Sequence, residues 1–190
     1  MEGVGGRLQI INVFMDFFAG EIINIDKPYG MSSFGALAHC RFLLSRKLGV
    51  KRLKTGHAGT LDPLATGVLT LVTGKATKLI DSLQRDIKEY TATLQLGATT
   101  ASFDREHTVD HTFPTKHITR QLIDDTLKGF IGEIKQVPPA YSACKINGDR
   151  AYKLVRAGEE VELKAKTLVI DELEVTDFDP VTMLLSIRAV

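Results

Sequence analysis

Residues 89–96 alternate without a break, with Tyr90, Ala92, Leu94 and Leu96 on one side and Glu89, Thr91, Thr93 and Gln95 on the other. A period of two belongs to a β-strand that lays one face against a core. Residues 119–134 change period: Leu122, Ile123, Leu127, Phe130, Ile131 and Ile134 recur at helical spacing. Strand signals also cover residues 21–26, 68–72, 168–175 and 183–190, and helix signals cover 33–48 and 75–84. Ser32 or Ser33 can cap the first helix, whose apolar positions include Phe34, Leu37, Ala38, Leu44 and Leu48, and Gly49 can stop it. This mixed order is not a regular βαβ repeat. It predicts an α+β fold, a sheet with helices against it.

The length of 190 residues suits one domain, or one domain and part of another. No apolar run approaches the roughly 20 residues that a membrane span needs. Cys40 and Cys144 lie far apart and have no further Cys or His at metal-ligand spacing. A disulfide framework and a structural zinc site are therefore not expected, and a reducing cytoplasm is. The first 14 residues are glycine-rich and then apolar, without the charged start and small-residue cleavage site of a secretory signal. Residues 1–19 are read as an N-terminal extension and residues 20–190 as the domain proper.

A formal net charge of +1 conceals an uneven distribution. Residues 1–156 carry 21 basic and 15 acidic side chains, whereas residues 157–190 carry 3 and 8. Residues 41–54 alone hold six Lys or Arg and no acid. Such a block is a candidate phosphate-binding surface, because Lys and Arg give sequence-independent affinity for RNA. On charge pattern alone it reads equally as a solvated helix face.

Between the basic block and an apolar strand lies GHAGTLDPLATGVL, residues 56–69. Glycines let the backbone bend sharply, and Pro63 restricts Asp62 to extended geometry, which fixes where its carboxylate points. The chain around this loop resembles the TruB-type tRNA pseudouridine synthases. The resemblance runs from about residue 20 to 190 and rests on motifs in a fixed order. They are INIDKPYGMSS (23–33), the loop at 56–69, GKATK (74–78), KEYTATLQLG (88–97), QVPPAYSACKINGDRAYKLVRAGEEVE (136–162) and the final SIRAV.

The resemblance implies the pseudouridine synthase fold, with a mixed, mostly antiparallel central sheet flanked by helices. It implies isomerisation of a uridine in the T-arm of tRNA, without cofactor or metal, on a flipped-out base. Asp62 is then the catalytic aspartate, attacking either the sugar or the base. Arg156 matches the arginine paired with it, which would keep the carboxylate ionised. His57 matches the residue at the disrupted RNA stack, and Tyr90 the aromatic that stacks on the flipped uracil. Leu154 falls on a base-pocket position that is tyrosine in some relatives. Lys78 and Asp104 fall on family positions in GKATK and LGATTASFD, the latter departing from the pattern at Ala101. Arg150 and Tyr152 are expected in the cleft wall.

Family members continue past the last strand with a Lys-Gly-Thr-Tyr-Ile-Arg segment, and many add a small RNA-binding domain. Neither stands in these 190 residues. The expectation is a monomeric catalytic domain lacking its C-terminal segment, marginally folded and with little or no activity of its own. The alternative is a non-catalytic tRNA-binding or tRNA-folding module. A carboxylate glycosidase would need a second catalytic acid or base, and none stands out.

Overall fold

The computed structural model describes residues 15–139, 145–146, 149–158 and 163–190. They fall into two compact units, Met1–Asp86 and Ile87–Val190. All described strand pairs in both are antiparallel. Helices and antiparallel sheets together bear out the α+β expectation. Among the described residues no helix is long and apolar enough to cross a membrane.

The first unit contains β1 (Ile22–Lys27), α1 (Ser33–Lys47), β2 (Thr55–Ala58), β3 (Gly67–Thr73) and α2 (Ile80–Leu83). The strands form one sheet in the order β1-β3-β2. Ala36 and Leu37 of α1 pack on Leu69 and Leu71 of the central strand, with Ile23, Ile25, Cys40 and Leu61 around them. Ser32 caps α1 by accepting the Gly35 N–H, and Gly49 follows the helix at φ +67°, a left-handed position that suits glycine. Phe34 departs from its predicted core position and is 63% exposed. Ala36, two residues on, is buried in its place. The predicted helix at 75–84 is instead a 3₁₀ helix, Gly74–Leu79, running into α2. Its start is fixed by close packing: a Cβ on Gly74 would collide with the Phe18 carbonyl oxygen.

The second unit contains β4 (Tyr90–Gln95), β5 (Ala98–Thr100), β6 (Val109–Thr112), α3 (Arg120–Leu127) and β7 (Gly132–Gln136). It continues with β8 (Lys145–Ile146), β9 (Asp149–Arg150) and α4 (Ala151–Arg156). Then come β10 (Lys166–Ile170), β11 (Leu173–Asp179) and β12 (Leu184–Ala189). The largest sheet has the order β11-β12-β4, and β10 pairs with β7. The Thr119 hydroxyl caps α3 by accepting the Leu122 N–H. That helix is shorter than its apolar spacing predicts. Gly132 sits at φ +92°, and Ile134 beyond it lies in β7 opposite Leu168. The predicted strand at 168–175 is two strands, β10 and β11. They are separated where Asp171 and Glu172 both donate backbone N–H groups to the Val190 carbonyl.

Candidate active site

The loop carrying Asp62 connects β2 to β3. His57 pairs in register with Leu71, and on the other edge of β3 Gly67 pairs with Lys27. Both ends of the loop therefore belong to one antiparallel sheet. Residues on either side of Asp62 are held by α1 and the turn before it. The buried Ser33 hydroxyl donates to the Leu61 carbonyl and accepts the Leu61 N–H, each at 2.9 Å. Gly30 donates its backbone N–H to the Pro63 carbonyl at 2.8 Å, and Ala65 donates to the Asp62 carbonyl at 3.0 Å. The carbonyls of Leu61, Asp62 and Pro63 and the N–H groups of Leu61 and Ala65 thus have partners close by, while Asp62 stays exposed.

Lys27, the last residue of β1, is fully buried. Its Nζ donates to the carbonyls of Pro28 (3.0 Å), Met31 (2.6 Å) and Pro63 (3.4 Å). An ammonium has three N–H donors, and each meets a main-chain oxygen here. Burying a cation without such partners is costly, so the arrangement ties the turn after β1 to the Asp62 loop. Sequence reasoning missed Lys27 and the full role of Ser33. The available signal was the KPYG turn closing a strand, but a lysine there reads as solvated.

His57 Nδ1 lies 2.5 Å from the Gly59 carbonyl oxygen. A carbonyl only accepts, so Nδ1 carries the proton and donates, which fixes the ring's orientation at the loop entrance. Among the described residues no side chain pairs with the Asp62 carboxylate. Lys78 is exposed at the end of the 3₁₀ helix. The basic residues Arg46, Lys47, Lys51, Arg52 and Lys54 are exposed on the same unit, and Arg41 lies with its guanidinium 6.0 Å from the centre of the Phe34 ring.

The other predicted residues belong to the second unit. Tyr90 opens β4 opposite Ala189 and is 51% exposed, so its predicted strand is present but its core-facing reading is not. All of β4 is exposed, both faces alike. Asp104 is half-buried on the β5–β6 connection, where its Oδ1 accepts from Ser102 Oγ and from the Glu106 N–H. Leu154 is half-buried in α4. The side chains of Arg156, Arg150 and Tyr152 lie outside the described residues. Among the described residues no group of three or more His, Cys, Asp or Glu side chains is placed to hold a metal ion.

Residues 45–189 match the TruB family pseudouridylate synthase N-terminal domain. The chain belongs to the TruB pseudouridylate synthase family. It is 60% identical over 163 residues to a tRNA pseudouridine synthase B of Bacteroides thetaiotaomicron, covering 86% of this chain and 68% of that protein. A Bacteroides fragilis protein of the same name is 58% identical, with coverage of 86% and 70%. One from Mycobacterium avium is 43% identical over 156 residues, covering 82% of this chain and 48% of its own length. Among solved structures, a chain of a Cbf5-Nop10-Gar1 complex superposes with a TM-score of 0.59 at 25% identity, over 91% of this chain and 39% of that one. The chain thus spans just over two thirds of its Bacteroides relatives and well under half of the Cbf5-complex chain. The TruB family match covers both GKATK and the Asp62 loop, while Lys27 and Ser33 precede it.

Proposed function

We propose that this TruB family chain converts a uridine in the T-arm of tRNA to pseudouridine, with the Asp62 carboxylate as nucleophile. The observation that carries the reading is an exposed carboxylate on a loop clamped from both sides. A nucleophile needs a held backbone and an open approach, and Asp62 has both. The tRNA substrate is supported by the names of the Bacteroides relatives.

The reaction breaks the bond from C1′ of ribose to N1 of uracil, turns the base, and forms a bond from C1′ to C5. The C5 proton leaves and N1 gains one, so no oxidant, reductant or added group is required. Asp62 performs the substitution at either the sugar or the base. Such a base must first leave its stack. In this reading His57 fills the vacated stack and Tyr90 stacks on the extruded uracil. Leu154, Lys78 and Asp104 contact substrate, and Arg156 has the partner role toward the nucleophile that the family resemblance gives it. Exposed Lys and Arg side chains from residues 46–54 supply phosphate contacts, with specificity from the shape of the splayed loop. The reading places the reaction in the cytoplasm on a monomer.

The test compares the unsubstituted chain with Asp62→Asn on a T-arm hairpin, protein in excess, pseudouridine being counted in the digested RNA by mass spectrometry. Product from the unsubstituted chain and none from Asp62→Asn, with salt-sensitive binding kept by both, is the expected result. Equal product from both removes Asp62 from the chemistry. Binding by both without product, found again in a chain extended by the family's C-terminal segment, favours a tRNA-binding or tRNA-folding module.

A further inference from the structure

Phe103 stands in the connection between β5 and β6 with a φ of +58° and 74% of its surface exposed. Left-handed backbone is natural for glycine and tolerable for Asn or Asp, but a bulky aromatic is a steric outlier there. Phe103 closes the turn 100–103 through its N–H on the Thr100 carbonyl, a place where glycine takes the left-handed conformation without strain. The connection spans eight residues, 101–108, and has slack to place a glycine or to avoid the conformation. Among the described residues the other non-glycine at positive φ is Met183, at +57°. It too closes a four-residue turn, 180–183 between β11 and β12, but its carbonyl accepts the Leu96 N–H, a contact across the sheet.

The backbone around Phe103 is pinned on both sides. Its own N–H donates to the Thr100 carbonyl at 3.0 Å, and the Thr100 hydroxyl donates to the Asp104 carbonyl at 2.7 Å. Ser102 Oγ donates to Asp104 Oδ1 at 2.5 Å, and the Glu106 N–H reaches the same oxygen at 2.9 Å. His107 Nδ1 lies 2.8 Å from Ser102 Oγ. The hydroxyl has one proton and gives it to the carboxylate, so His107 is the donor in that contact. Hydrogen bonds thus hold a strained backbone whose visible effect is to present an aromatic ring to solvent. Strain retained in this way points to a ligand for the ring.

We propose that Phe103 is a stacking platform for an unpaired nucleobase of the RNA, distinct from the reacting uridine. This rests on the RNA-modifying reading above. The neighbours of the ring choose the ligand class. Its chain neighbours Ser102, Asp104, Arg105 and Glu106 are all polar, unlike the apolar setting that anchors a protein hot spot. A nucleobase needs only one flat face to stack on, with polar groups alongside for its edge and its phosphate. Arg105 is exposed for the phosphate, and Asp104 Oδ2, which takes no hydrogen bond among the described residues, is an acceptor for a base N–H.

The chain contains no tryptophan, so Phe103→Trp places a single indole at this position. Titration of that variant with a T-arm hairpin is expected to quench its emission, saturating where filter binding saturates. Phe103→Ala and Phe103→Gly are expected to weaken RNA binding about tenfold, within the range for loss of one base–aromatic stack. Glycine takes the positive φ without strain, so a purely structural role predicts that Phe103→Gly binds as well as the original chain. Unquenched emission from bound Phe103→Trp, or undiminished binding by the Ala and Gly variants, overturns the platform and leaves the RNA reading intact. Failure of the unsubstituted chain to bind the hairpin overturns both.

Discussion

The ammonium nitrogen of Lys27 stands 2.6 Å from the carbonyl oxygen of Met31, at the end of a side chain with no exposed surface. Replacing it with an isosteric apolar chain strips that oxygen and that of Pro28 of this donor, and leaves the Pro63 carbonyl with the Gly30 N–H alone. Lys27→Met is expected to lower stability by about 3 kcal/mol, the upper part of the range for buried acceptors left unmade. Lys27→Arg is not expected to restore it, because a planar fork cannot direct its N–H groups around a point as an ammonium does. Urea unfolding midpoints for the three proteins measure both effects.

Ser33→Ala removes both contacts to Leu61 and leaves the residue before Asp62 without its side-chain tether. The loss of stability is expected to be about 1–2 kcal/mol. The larger effect falls on turnover. A carboxylate that loses its aim slows the chemical step more than it weakens RNA binding, so kcat is expected to drop roughly ten- to a hundredfold while KM changes little. Single-turnover rates against separately measured binding distinguish the two.

Lys51 and Arg52 are exposed just before β2. If they contact phosphates, each Lys or Arg removed should lower the slope of log binding constant against log salt by about one. The Lys51→Ala, Arg52→Ala double variant is therefore expected to bind T-arm RNA more weakly, and with a slope shallower by about two. An unchanged slope assigns these side chains to solvent.

Arg188 of β12 bonds Glu89 and Glu172, each at 2.7 Å. Its hydrogen bond, and then its charge, hold the Glu89 carboxyl below its ordinary value of 4.5. A depressed carboxylate contributes stability above its unfolded pKa, and the contribution is lost as pH falls through the folded value. The thermal midpoints of the original chain and Glu89→Gln are expected to differ near pH 6 and to converge as pH falls through the carboxyl's lowered value. Because Glu89 is exposed, the difference is small and should shrink further in high salt.

The Asp62 loop was legible because its chemistry is written in local order: a histidine, a glycine-framed turn and an Asp-Pro in succession. Its support was not. Lys27 lies 36 residues before Pro63, and nothing local distinguishes a lysine that will be buried among carbonyls from one that will point to water. The same holds for strand against helix at 131–136. Ile131 and Ile134 fit helical spacing, and only the backbone at Gly132 and the pairing of Ile134 with Leu168 decide for β7. β2 was hidden for the opposite reason, since glycines at 56 and 59 read as loop, although β3 recruits 55–58 as an edge strand. Alternation at 89–96 located β4, but alternation records which residues share a face and not whether that face is covered. Tyr90 and Leu94 are 51% and 39% exposed.

The acceptors of Lys27 lie one, four and 36 residues along the chain from it. Local fraying that released Pro63 would take one of three acceptors from a buried cation and break the Gly30 and Ser33 contacts as well, so opening of the Asp62 loop is costly. The Leu61 amide of the loop and the Gly30 amide that bonds to it are then expected to exchange with solvent only when the pairing of β1 with β3 gives way. In a hydrogen-exchange experiment the residues next to the candidate nucleophile would be among the slowest of their unit, although Asp62 itself faces water.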